Sequence, residues 1–147
     1  MAACWRALAG QSGIDPFVVA FEAGQSTAFN DGLMEGIPSR LLGPDERHDA
    51  KLVRDLVVEQ NPDVVVLSGW FRPPYRRLPF RRALRDARFV MGMDTPWQGT
   101  GRQRLGRWVL RPFVQRMDRV VVTGERSWQY ARRLGVAPDR IVRGLYG

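Results

Sequence analysis

The sequence predicts a Rossmann-like three-layer α/β/α sandwich with a mostly parallel sheet. Three short apolar runs, at residues 64–67, 89–93 and 120–122, are typical of strands, and each is followed by a loop and an arginine-rich helical segment. Strands that alternate with crossover helices form parallel sheets. The runs are apolar almost throughout, which indicates a sheet covered by helices on both faces.

The first 60 residues supply a helix, two strands and a second helix. Residues 2–9 form a short amphipathic pattern, and the β-branched and aromatic run at residues 16–21 predicts a strand. A weaker strand pattern follows at residues 37–42. Residues 44–60 then predict a helix, with acidic residues in its first turn and one apolar face, and Pro62 ends it.

The second half repeats strand, loop and helix three times. The predicted strands and helices alternate in the order 63–68, 75–87, 88–93, 101–116, 118–123 and 125–134. Gly135 stands where a helix C-cap glycine is expected, and Ile141 begins a final short strand.

A chain of 147 residues that is 44% hydrophobic can build one core of ordinary size, so residues 1–147 are predicted to form one domain. A doubly wound domain normally begins with its central strand, whereas this chain begins with a helix. We therefore expect a truncated domain, with a strand before Ala2 and a linker after Gly147.

Cysteine usage favours a cytoplasmic protein. Cys4 is the single cysteine and cannot form an internal disulfide, whereas small secreted domains often carry several. Arg6 interrupts the mildly apolar start, which argues against a signal peptide. With one cysteine and one histidine no zinc or Cys/His site can be assembled, so no metal site is predicted.

The positive charge belongs to the second half of the chain. Residues 1–63 carry a formal charge of −5 and residues 64–147 carry +13. Seven arginines fall within residues 72–88, a segment that is either a solvated face or a contact with an anionic membrane, with Tyr75 and Phe80 dipping into the headgroups. The predicted membrane-contact residues are Arg76, Arg77, Arg81 and Arg82. Prolines interrupt the segment, so it is no continuous groove-reading helix, and nucleic acid is the less favoured partner.

Open parallel sheets bind ligands beyond the carboxyl ends of their strands, so the loops at residues 68–72, 94–100 and 123–127 are the candidate site. Asp94 is the strongest candidate for chemistry, because it ends a strand at that edge; the alternative is a turn-forming aspartate before Thr95 and Pro96. The sequence around Asp94 fits a catalytic or binding role and a turn-forming role equally well.

The other loop residues each have a structural alternative. Trp70 and Trp97 can stack on a sugar ring or simply fill the core. Glu125 can favour the dipole at a helix start. The glycines at 99 and 101 lack the third glycine of a dinucleotide fingerprint, since Arg104 stands in its place. A stand-alone nucleotide-binding domain is therefore disfavoured.

Three stretches, NPDVVVLSGW, ARFVMGMDTPW and MDRVVVTGERSWQYARRLGVAPDRIVRGLYG, resemble the N-terminal half of GT-B glycosyltransferases of the family-4-like kind. The resemblance runs from about residue 45 to residue 147. It implies the acceptor-binding half of a nucleotide-sugar-dependent hexosyltransferase, acting on a cell-surface glycan or a lipid-linked sugar acceptor. The nucleotide-sugar donor is expected in a C-terminal domain absent from this chain, so this half binds no cofactor and is expected to be inactive alone.

Relatives often carry a His-Asp pair where Met93 and Asp94 stand, so only the aspartate can be carried over, as the predicted catalytic residue. The predicted substrate-binding residues are Gly69, Trp70, Arg72, Thr95, Trp97, Gln98, Gln103, Glu125 and Arg126. The alternative function is a non-catalytic basic module that binds an anionic membrane or nucleic acid, and strong salt dependence of binding would favour it.

Overall fold

The computed structural model describes residues 2–22 and 34–144. The chain divides into two compact units, Met1–Val53 and Arg54–Gly147, each described by itself. The prediction that residues 1–147 form one domain stays a prediction.

The first unit contains the predicted helix and both predicted strands. Helix α1 spans Ala2–Ala9, and strand β1 (Val18–Phe21) pairs in parallel with strand β2 (Ser39–Leu42). The predicted strands begin two residues earlier than the observed ones. The glycine-containing loop between them lies largely outside the described residues.

The helix predicted at residues 44–60 begins later than expected. Glu46–His48 form a 3-10 turn, and α2 spans Ala50–Glu59. Between them Asp49 is extended, with ψ 102°, and its side chain accepts hydrogen bonds from the backbone N–H groups of Lys51 (2.8 Å) and Leu52 (3.0 Å). An aspartate in this geometry satisfies helix donors that have no intrahelical partner, so it marks the start of α2.

The second unit is built on a four-stranded parallel sheet in the order β3-β4-β5-β6. The strands are β3 (Val64–Leu67), β4 (Arg88–Met93), β5 (Arg119–Val122) and β6 (Ile141–Arg143). Met91 on β4 and Val120 on β5 pair in register and are fully buried. This sheet confirms the predicted parallel α/β fold.

Strand β3 is an edge of this sheet, and its burial is one-sided. Val65 and Leu67 are buried, whereas Val64 and Val66 are 50% and 58% exposed. Side chains alternate between the two faces of a strand, so one face of β3 is core and the other is open.

Helices α4 (Gly101–Val114) and α5 (Glu125–Leu134) follow β4 and β5, close to their predicted bounds. The Thr100 hydroxyl accepts the Gln103 backbone N–H at 3.3 Å and caps α4. Gly135 ends α5 with a φ of 94°, a left-handed conformation that favours glycine, which confirms the predicted C-cap.

The single helix predicted at residues 75–87 is wrong. Helix α3 spans only Pro73–Arg77, and two 3-10 turns follow at Leu78–Phe80 and Arg82–Leu84. Pro79 has no N–H to donate to the carbonyl of Tyr75, so the α-helical hydrogen-bond ladder stops there. Arg81 is extended, with ψ 126°, and separates the two turns.

Candidate functional site

The loops after β4 and β5 are joined at the carboxyl edge of the sheet. The Ser127 hydroxyl on α5 donates to the backbone carbonyl of Asp94 at 3.1 Å, and it also lies 3.1 Å from the Thr123 hydroxyl. The Trp97 backbone N–H donates to the carbonyl of Arg126 at 3.1 Å. Two of the three predicted loops are therefore hydrogen-bonded to each other.

Asp94 directly follows the last residue of β4, and its side chain is exposed. The Thr95 hydroxyl lies 3.5 Å from one carboxylate oxygen, at the outer limit of a hydrogen bond. The preceding Met93 is buried in the core and offers no polar group. The Asp94 carboxylate is thus an exposed acidic group at the carboxyl end of β4.

Trp97 is half-buried and packs on α5. Its ring centroid lies 5.4 Å from that of Tyr130, and the Arg133 guanidinium lies 4.8 Å above its ring. A cation over an indole face is attractive, and more so where water is excluded. Packing therefore fixes the orientation of the Trp97 ring.

Trp70 is 8% exposed and belongs to the core. It stacks on Phe71 with centroids 5.5 Å apart and meets the edge of Tyr130 at 5.9 Å. Of these rings Phe71 is the exposed one, at 69%. Tyr130 contacts both tryptophans and so connects the loop after β3 with the loop after β4.

Tyr130 and Tyr75 are both perturbed by burial. Desolvation raises the pKa of the Tyr130 phenol, and the positive charge of Arg102 opposes the shift in part. Desolvation likewise raises the pKa of Tyr75, with Arg72 opposing it. The shift reflects the burial of both rings, since a charged phenolate is disfavoured where water is excluded.

Gly69 sets the course of the loop after β3. Its φ is 148°, and a Cβ built there would lie 3.5 Å from the Phe71 ring. Side-chain-bearing residues rarely adopt this conformation. Glycine at this position allows Trp70 to turn inward and Phe71 to turn outward.

The loop at residues 94–100 is braced from within by Gln103. Its side-chain oxygen accepts the Gln98 backbone N–H at 2.8 Å, and its side-chain nitrogen donates to the carbonyl of Pro96 at 2.9 Å. Gln103 therefore orders the loop, while the Gln98 side chain remains exposed.

The remaining predicted substrate-binding residues lie at helix starts. Glu125 begins α5 and accepts hydrogen bonds from Arg143 at 2.8 Å and from Gln129 at 3.3 Å. An acidic residue in the first turn also favours the helix dipole. Arg126 is exposed beside it, and Arg72 is the half-buried residue that precedes α3.

The later part of the basic segment lies near the amino end of β4, whereas α3, with Arg76 and Arg77, follows the loop after β3. Arg81 and Arg82 line a cavity of about 550 Å³ together with Arg88, the first residue of β4, and Arg116, which precedes β5. Asp94 follows the last residue of the same strand β4. The structure thus separates this cavity from the candidate site by the length of that strand.

Metal-binding geometry is not found in the described part of the chain, where no three His, Cys, Asp or Glu side chains are grouped for an ion. His48 is exposed and lies in the 3-10 turn before α2. Within residues 2–22 and 34–144, no helix has both the length and the apolar character that crossing a bilayer requires.

The sequence placed Ser127 in a candidate loop but gave no role to Tyr130, which contacts both tryptophans. Ser127, Tyr130, Ala131 and Leu134 are buried at the spacing i, i+3, i+4 and i+7, which marks the core-facing side of a helix. That spacing predicts Ser127 and Tyr130 as buried positions. It does not predict that their partners are Asp94 and the two tryptophans, because those contacts are distant in sequence.

A family model described as a glycosyl transferase 4-like domain matches residues 2–146. The comparison with curated proteins and the comparison with solved structures each gave no match.

Proposed function

Since the chain belongs to the glycosyl transferase 4-like family, we propose that it is the acceptor-binding half of a nucleotide-sugar-dependent hexosyltransferase. The acceptor is a cell-surface glycan or a lipid-linked sugar. The donor binds a second domain of a GT-B enzyme, which works at the cytoplasmic face of the membrane. The 147-residue chain alone is inactive in transfer.

The observation that carries this proposal is the placement of Asp94. An exposed carboxylate at the carboxyl end of a parallel strand lies where open α/β sheets bind their ligands. Its backbone is held by Ser127, and its loop is held through the Trp97 N–H. A fixed carboxylate accepts a hydrogen bond from a sugar hydroxyl, and it can take the proton as that oxygen attacks the donor.

The surface beside Asp94 suits a sugar. Trp97 is half-buried and Phe71 is exposed, so both present aromatic surface, and the faces of sugar rings pack on such surfaces. Thr95 and Gln98, in the same loop as Trp97, and Arg126, whose carbonyl accepts the Trp97 N–H, add a hydroxyl, an amide and a guanidinium. Together they supply the mixture of flat apolar area and hydrogen-bonding groups that a sugar acceptor needs.

Substitutions in an enzyme that joins this chain to its donor-binding domain test the proposal. If Asp94 is the base, Asp94→Asn lowers turnover by roughly 10² to 10⁴. Trp97→Ala mainly weakens acceptor binding, because packing acts on the ground state as well as the transition state.

Two matched controls come from the same chain. Asp86→Asn removes the same charge from an exposed pair with Arg85, and Trp128→Ala removes a half-buried tryptophan that also lies near arginines. Both controls are expected to keep turnover and acceptor affinity. Full activity of Asp94→Asn with unchanged acceptor affinity would leave Asp94 as a turn-forming residue and remove this assignment.

A further inference from the structure

Helix α4 carries apolar side chains on two sides. Leu110, Phe113 and Val114 are buried against the core. Leu105, Trp108 and Val109 point the other way and are 70%, 59% and 68% exposed. A surface helix of a globular protein normally has a polar outer face. The second apolar face of α4 therefore indicates a binding surface.

The three exposed residues form one stripe. They are spaced i, i+3 and i+4, and residues so spaced are neighbours on a helix surface. Pro112, one further turn along, is also exposed and extends the stripe. The stripe is therefore a continuous apolar surface and not a set of scattered side chains.

Positive charge surrounds this stripe. Residues 101–116 contain five arginines and no aspartate or glutamate. Arg102, Arg104, Arg107 and Arg111 are exposed, and none of the four forms an ion pair within the described residues. The Arg107 guanidinium lies 4.8 Å above the Trp108 ring, so charge and apolar surface are in direct contact.

We propose that this face of α4 docks onto an anionic lipid bilayer. Helices that lie in the membrane interface combine Leu, Trp or Phe on one side with flanking Lys or Arg, which is the composition of this face. The apolar stripe enters the boundary between headgroups and acyl chains, and the arginines contact the lipid phosphates. Pairing of two α4 faces from two copies of this chain is disfavoured, because it brings the arginines of one α4 against those of the other.

Docking of α4 on a membrane extends the proposed function. The biological role that we give to this docking, access to a lipid-linked acceptor, rests on the proposed function. Thr100 caps α4 and ends the loop that begins at Asp94, so a membrane-bound α4 brings that loop to the headgroup layer. A lipid-linked sugar presents its hydroxyls at that layer. The binding itself is measured without any sugar, so its failure and the failure of the proposed function are distinguishable.

Co-sedimentation with vesicles of phosphatidylcholine, with and without phosphatidylglycerol, tests the proposal. The chain is expected to bind the anionic vesicles. The triple variant Leu105→Gln, Trp108→Gln and Val109→Gln should bind more than about tenfold more weakly, since it removes the apolar burial. Arg104→Gln with Arg107→Gln should lose about fivefold per arginine at low salt.

A matched charge control is Arg119→Gln with Arg140→Gln, which removes the same charge from two exposed arginines outside α4 and outside residues 72–88. It should weaken binding less than the α4 pair. The proposal is overturned if the two double arginine variants lose equal affinity for anionic vesicles and the apolar triple variant binds like the wild type. That result would show diffuse charge attraction. A dimer that the triple variant abolishes would instead assign the stripe to self-association, and that result also overturns it.

Trp108→Phe provides a test that does not depend on a polar substitution. This variant keeps an apolar ring in the stripe, so it should bind anionic vesicles nearly as well as the wild type. It should also lose a large part of the blue shift in tryptophan emission that binding causes. An unchanged blue shift would place Trp108 outside the membrane and contradict the docking.

Discussion

The Ser127 hydroxyl donates a hydrogen bond to the backbone carbonyl of Asp94, with 3.1 Å between the two oxygens. Ser127 is 3% exposed and lies in the first turn of α5, 33 residues further along the chain. The contact ties the end of β4 to the start of α5. The buried Ser127 side chain therefore fixes the backbone that carries the Asp94 carboxylate.

Ser127→Ala is expected to destabilise the protein by about 1 kcal/mol, the usual net value of one buried hydrogen bond. Chemical unfolding measures the change. Ser68→Ala is the control, because Ser68 is exposed in the loop after β3. Its expected effect is within about 0.5 kcal/mol. Equal effects of the two substitutions would show that the bond to Asp94 contributes nothing to stability.

Gly69→Ala is expected to lower stability by about 1–3 kcal/mol, because alanine is strained at a φ of 148°. Gly101→Ala is the matched control at the first residue of α4, where a Cβ meets nothing within 4 Å. Alanine there should be neutral or stabilising by up to about 1 kcal/mol. Thermal unfolding of both variants and of the wild type measures these changes. A Gly69→Ala protein as stable as the wild type would contradict a conformational need for glycine.

Trp97 and Arg133 are expected to be energetically coupled. A double-mutant cycle with Trp97→Ala and Arg133→Ala should give about 0.5–1 kcal/mol, since the guanidinium lies over the ring at a partly exposed position. Arg133→Lys tests the planarity of the guanidinium and should retain part of the coupling. Additive effects of Trp97→Ala and Arg133→Ala would mean that the two side chains are merely adjacent.

Asp118 predicts a pH dependence of stability. Its carboxylate accepts the Phe89 backbone N–H at 2.8 Å and an Arg88 hydrogen bond at 2.9 Å, and these interactions hold its pKa below the usual value of 3.8. A lowered folded-state pKa stabilises the protein above the unfolded pKa. That stability is lost as the pH falls through the folded value.

The measurement is the urea midpoint of the wild type and of Asp118→Asn between neutral and strongly acidic pH. The wild type should be more stable at neutral pH, and the difference should shrink once the pH falls below about 3.9. Asp86→Asn controls for the loss of one exposed charge. A difference that stays constant down to acidic pH would remove the ionised Asp118 as its cause.

Local patterns predicted much of the fold. The bounds of α5 and its C-cap at Gly135 were predicted from the sequence, because an acidic first turn and a terminal glycine act within a few residues. The segment at residues 75–87 was mispredicted as one helix, because the hydrogen bond that Pro79 removes outweighs the helical spacing around it. One-sided burial of β3 also escaped prediction, since an apolar run does not reveal which strand lies at an edge.

The arrangement of the candidate site was predicted only in part. The sequence predicted that the loops after β4 and β5 lie together, because parallel strands place their carboxyl ends on one edge. The roles of Tyr130 and Arg133 depend on contacts across more than 30 residues, which local periodicity does not encode. Burial of Trp70 beside exposure of Phe71 depends on the conformation of Gly69, which the sequence alone does not specify.

Amide chemical-shift mapping of the 147-residue chain shows whether a sugar binds at the loop of residues 94–103. Glucose, galactose, mannose, N-acetylglucosamine and disaccharides of each are added in turn. We expect a binding sugar to shift the amide signals of residues 94–103 and the indole N–H signal of Trp97. Asp94→Asn should reduce those shifts, and Asp86→Asn should not. Sugars that leave residues 94–103 unmoved, or that shift only residues 76–88, would contradict an acceptor site at this edge of the sheet.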